Sequence, residues 1–130
     1  MELFRSEYVI LYWDEKENWL FAQWLGYCTD EQIKTYAFKL LEMIKLKKAN
    51  KYLVDNSEFL VMSKEAQNWL SDEFYPLTVA AGLKFRAVVM PKSAISRLVI
   101  KNVQKTINRL GTLTAQFDNL EEAKNWLRSQ

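Results

Sequence analysis

The stretch Lys51–Leu70, KYLVDNSEFLVMSKEAQNWL, constrains the fold more than any other part of the chain. Tyr52, Leu53 and Val54 form a short apolar run with no polar alternation, the pattern of a strand covered on both faces. The polar pair Asp55-Asn56 is read as the end of that strand. Ser63 then stands before Lys64-Glu65-Ala66, where its hydroxyl can accept from an otherwise free N–H at the start of a helix. The succession recurs downstream. Leu83–Met90 reads as a strand, with Lys84 and Arg86 alternating against Leu83, Phe85, Ala87 and Val89 before the far end becomes apolar throughout. Pro91-Lys92-Ser93 supplies the turn and the cap, and Ile95, Leu98, Val99, Val103, Ile107 and Leu110 stripe a helix that Gly111 closes.

The flanking segments complete the pattern. Tyr8–Trp13 and Asn18–Trp24, separated by Asp14-Glu15-Lys16-Glu17, read as a hairpin. Thr29 with Gln32 forms a capping box for a helix whose apolar stripe is Ile33, Tyr36, Ala37, Leu40, Leu41 and Ile44, with Lys45, Lys47 and Lys48 at its dipole-favoured end. Ala66, Trp69, Leu70 and Phe74 give the next helix an inward face, and Pro76 is expected to discourage helix at Tyr75. Thr112–Phe117 alternates like a strand near a sheet edge, and Asn119 with Glu122 is read as a second capping box opening a short closing helix. The expectation is one α/β domain over residues 1–130: a two- or three-layer sandwich on a mixed sheet of about five strands, an N-terminal hairpin followed by parallel strands, with four helices.

With 49% hydrophobic and 14% aromatic residues, a chain of this length builds a core without disulfides or metals. Cys28 is the only cysteine, so no internal disulfide forms, and it reads as a small buried apolar group. The absence of histidine removes the commonest general base, the commonest metal ligand and the usual serine and cysteine triads. A net charge of +2 imposes no global field toward nucleic acid or membranes, and no apolar run spans a bilayer. A cytoplasmic protein without cofactor or metal is expected.

Through KYLVDNSEF leading into MSKEAQNWL, the strand GLKFRAVVMP and the ending FDNLEEAKNWL, the chain resembles the STAS-like superfamily, which includes anti-sigma-factor antagonists and SEC14-like relatives. In the antagonists an Asp-Ser pair opening the helix after the third strand carries a regulatory phosphoserine. The matching pair here is Met62-Ser63, which keeps the hydroxyl and lacks the acid, and Lys64-Glu65-Ala66 replaces the small glycine-containing segment. The resemblance implies a non-enzymatic regulatory or binding module.

Two candidate sites follow. Ser63, Asp55, Asn56 and Ser57 form a candidate phosphorylation or partner-binding site, expected at the carboxyl ends of parallel strands where open α/β sheets commonly bind ligands. Lys92, Ser93, Arg97 and Lys101 form a candidate anion site, continued by Lys105 and Arg109 as a positive ridge. The competing reading is structural: the serines only cap, Asp55 only fixes its turn, and the ridge is a solvated face with no aromatic interleaved for base stacking, so nucleic acid is not expected. The leading function is a protein-interaction or regulatory domain, with a homodimer as one form of partner. The alternative is a carrier that lodges a small apolar or anionic ligand among aromatic residues such as Trp13, Trp19, Trp24 and Tyr27.

Overall fold

The computed structural model describes all residues, Met1–Gln130. Six strands form one mixed sheet in sequential order: β1 (Glu2–Arg5), β2 (Val9–Asp14), β3 (Trp19–Gly26), β4 (Lys51–Phe59), β5 (Phe85–Val89) and β6 (Leu113–Phe117). The first two pairings are antiparallel and the next three parallel. Each parallel step is crossed by helix: α1 (Asp30–Lys47) from β3 to β4, α2 (Lys64–Trp69) and α3 (Tyr75–Ala80) from β4 to β5, and α4 (Ala94–Leu110) from β5 to β6. All three crossovers advance across the sheet in one direction, so a common hand lays their helices on the same face. There they enclose the larger core, which joins Ile33, Leu40 and Ile44 to Leu70, Phe74, Ile100 and Ile107. The closing helix α5 (Leu120–Arg128) returns over the opposite face, where Ala123 and Leu127 pack on Trp19, Leu53, Ala87 and Val89. The result is a three-layer arrangement with one thin layer.

The helix ends are held as the sequence dictates. Thr29 and Gln32 form a reciprocal capping box, Ser63 and Ser93 accept from Ala66 N–H and Ser96 N–H, and Gly111 closes α4 at φ +114°, a conformation a side chain would strain. Asn119 accepts from Glu122 N–H, so this cap is the simple one. The hairpin and the edge position of the last strand are as expected.

Four features differ from the sequence reading. The sheet has six strands, because Glu2–Arg5 pairs with β2 despite its short polar-ended sequence. Strand β4 does not end at Asp55-Asn56. It bulges there, its pairing with β3 stepping from Gln23↔Asp55 to Leu25↔Glu58, and the Asp55 carboxylate accepts the Ser57 N–H at 2.9 Å. Helix continues through Tyr75, because a π-helical turn at Leu70–Phe74 precedes Pro76 and places the proline in the first turn of α3, where a missing N–H is tolerated. Finally, α4 is rotated relative to its expected stripe. Ser96, Ile100, Val103, Gln104 and Ile107 are buried, whereas Ile95, Leu98 and Leu110 are exposed. The two buried polar groups that make this rotation tolerable are partnered, Ser96 donating to the Leu60 carbonyl and Gln104 bonding Gln116.

Candidate functional site

The carboxyl ends of the parallel strands gather part of the expected pole. Ser63 caps α2 through the Ala66 N–H at 3.0 Å and donates to the Asp30 carboxylate at 2.5 Å, which ties the starts of α1 and α2 together. The Leu60 N–H bonds the Gly26 carbonyl at 3.0 Å, and Ser96 in the first turn of α4 bonds the Leu60 carbonyl. The exits of β3 and β4 and the start of α4 therefore share one rim. Tyr27 and Leu60 at the strand exits, and Ile95 and Leu98 in the first turns of α4, are exposed by 50%, 53%, 70% and 60%. Lys92, Ser93 and Lys101 are exposed beside them, and Arg97 donates to the Asp118 carboxylate at 3.1 Å and to the Pro91 carbonyl at 3.3 Å. Lys105 and Arg109 continue along the solvent side of α4.

Asp55 and Asn56 do not join this rim together. Asp55 follows Leu53 on the face covered by α5, while Asn56 follows Tyr52 and Val54 on the three-helix face. Ser57 lies half-buried at the bulge. Of the hairpin aromatics, Trp13 belongs to the main core and Trp19 to the α5 core. Trp24 donates its indole N–H to the Tyr52 hydroxyl at 3.4 Å.

Beneath the rim, between the sheet and its three-helix layer, lies a chamber of about 60 Å³ lined by 18 residues, 15 of them hydrophobic. Ile33, Leu70, Phe74, Ile100 and Val103 supply much of its apolar wall. Its polar groups are Asn56, Thr78, Arg86 and the hydroxyls of Tyr52 and Tyr75. Arg86 was legible only as the polar member of an alternating strand. The parallel register sets it beside Tyr52, on the buried side of β5, where it is 6% exposed. Its Nη1 is buried with no hydrogen-bond acceptor. The guanidinium instead lies over the rings of Tyr52 and Tyr75, 6.0 and 5.9 Å from their centroids. Each such contact contributes about 0.5–2 kcal/mol, against an effective desolvation cost of several kcal/mol for a buried ion. Two rings do not fully offset that cost, and the unpaired N–H adds to it.

Burial pushes the Tyr52 hydroxyl up to about 12, with Arg86 and the Trp24 hydrogen bond pulling the other way; Tyr75 is raised by burial against the same pull of Arg86. Both phenols are neutral donors at neutral pH. The Thr78 hydroxyl donates to the Tyr75 carbonyl at 2.9 Å, leaving its oxygen able to accept. No group of three or more Cys, Asp or Glu side chains is placed to hold a metal ion. No helix is long and apolar enough to cross a membrane.

No family model matches the chain, and no curated protein matches it. Among solved structures it is similar to an uncharacterized protein of the DUF3478 family with a SpoIIAA-like fold from Shewanella loihica PV-4, at 16% identity and a TM-score of 0.62 over 96% of this chain and 98% of that one. At that identity the likeness speaks for architecture alone, and with the strand order and crossovers above it gives this chain a SpoIIAA-like, STAS-like α/β fold.

Proposed function

We propose that this chain is a non-catalytic regulatory domain that presents the strand-end rim to a partner protein. The observation that carries the reading is the exposure of Tyr27 and Leu60 at the hydrogen-bonded strand exits and of Ile95 and Leu98 at the start of α4, large apolar side chains left at least half exposed. Lys92 and Lys101 stand exposed beside it, so the complementary partner segment is apolar with acidic flanks. Ser63 sits under the same rim. A phosphate on its hydroxyl would meet the Asp30 carboxylate and break the tie between α1 and α2, which makes it the natural point of control.

A photo-crosslinking amino acid at Leu98, with a control at Leu46 on the distant end of α1, tests the reading in cells. Crosslinks to a protein from position 98, absent from 46 and lost in the Leu60→Asp/Ile95→Asp double variant, are expected. Equal crosslinking from both positions, or capture that survives the double variant, refutes it.

A further inference from the structure

We infer that the chamber between the sheet and its three-helix layer binds a small monocarboxylate with an apolar body, its carboxylate on the Arg86 guanidinium. The inference rests on the interior of the protein and is independent of the partner surface. Arg86 is a buried cation with an unused Nη1–H, and no carboxylate of the chain pairs with it. A planar guanidinium fork is matched by a carboxylate, which it can bind with two parallel hydrogen bonds. Around it, Tyr52, Tyr75 and Asn56 bring further donors into the same chamber. Tyr52 already accepts from Trp24, so its hydroxyl proton is free to point elsewhere.

The remaining wall decides what is attached to the carboxylate. Fifteen of 18 lining residues are hydrophobic, and Arg86 is the only charged one. One cation surrounded by apolar side chains matches a single negative charge on an apolar body; a phosphate or sulfate dianion would keep an uncompensated charge and lose its hydration. Against the roughly 150 Å³ of a cavity that holds benzene, a chamber of about 60 Å³ is small, so the apolar body is at most a short alkyl chain. Short-chain acids from acetate to butyrate are the class to test.

The test uses the full chain with sodium butyrate, 1-butanol and sodium phosphate at matched ionic strength, read by titration calorimetry and by thermal shift. Butyrate is expected to give a saturable one-site isotherm and a concentration-dependent rise in Tm, with no comparable response to butanol or phosphate. Arg86→Met is expected to weaken butyrate at least about tenfold through loss of the charge-assisted pair. Val103→Phe, which fills the chamber and leaves Arg86 in place, is expected to weaken it as well, and decides the matter should R86M fail to fold. No isotherm with the parent chain, a butanol or phosphate response equal to that of butyrate, or undiminished binding in a folded variant overturns the assignment.

Discussion

Replacing Arg86 with Met is expected to stabilise the ligand-free protein. Arg86 is only 6% exposed, its Nη1 lacks an acceptor, and its only compensation inside the chain is the pair of rings of Tyr52 and Tyr75. Methionine retains most of the aliphatic stem, fills irregular space and buries no charge. Setting an effective desolvation cost of several kcal/mol against about 1–4 kcal/mol from two desolvated cation–π contacts leaves a net gain of about 1–3 kcal/mol for the variant. In a domain of this size each kcal/mol moves Tm by about 3–6 °C. Urea denaturation of R86M beside the parent chain, in buffer free of organic acids, measures it through the midpoint, provided the slope is unchanged. A variant destabilised by more than about 1 kcal/mol would show that the guanidinium is held by interactions stronger than those described, and the premise of a costly unpaired cation would fall.

The rotated α4 makes a second prediction: Ile95→Ala and Leu98→Ala should each change stability by less than about 0.5 kcal/mol, whereas Ile107→Ala, at 1% exposure, should cost about 2–5 kcal/mol. Equal losses at all three positions in chemical denaturation would restore the stripe expected from the sequence. The buried thiol makes a third. Burial pushes Cys28 up to about 11 and Tyr52 to about 12, above the values of about 8.5 and 10 for the unfolded chain. The unfolded state therefore releases these protons first, so their stabilisation is complete below about pH 8.5 and is lost as pH rises through 11 and then 12. Urea midpoints should fall between pH 8 and 10.5, and Cys28→Ala should flatten the decline; a slope identical in C28A would assign it to other groups.

Most of the architecture was legible because it rests on local rules. The capping residues Thr29, Ser63, Ser93 and Asn119 and the closing Gly111 are short-range chemistry, and each occupies its expected place in the structure. The errors fall where partners come from elsewhere. Asp55, Asn56 and Ser57 have the composition of a turn, yet Asp55 pairs with Gln23 on one side and Val89 on the other, pairing with β3 resumes at Glu58, and the bulge absorbs Asn56 and Ser57. In α4, Ile95 and Leu98 fit a helical stripe as well as Ile100 and Val103 do. The choice between the two faces is made by the Leu60 carbonyl and by Gln116, both remote in sequence.

The burial of Arg86 was not legible for a related reason, and its case explains why the chamber could not be found from the chain alone. Period-two alternation divides a strand into two faces without saying which lies deeper. In β5 the series Phe85, Ala87, Val89 is the apolar one, and it faces the single helix α5. The series containing Arg86 and Val88 faces the thicker layer, because all three parallel crossovers lie on that side. Burial of Arg86 is thus a consequence of topology, and its ring contacts come from two distant segments, Tyr52 in β4 and Tyr75 at the restart of the helix after the π-turn. Local consistency accounts for the fold, and the one position where it fails outright is a cation set among hydrophobic side chains at a real cost in stability. Such a conflict is what a binding function leaves in a sequence otherwise consistent with its own core.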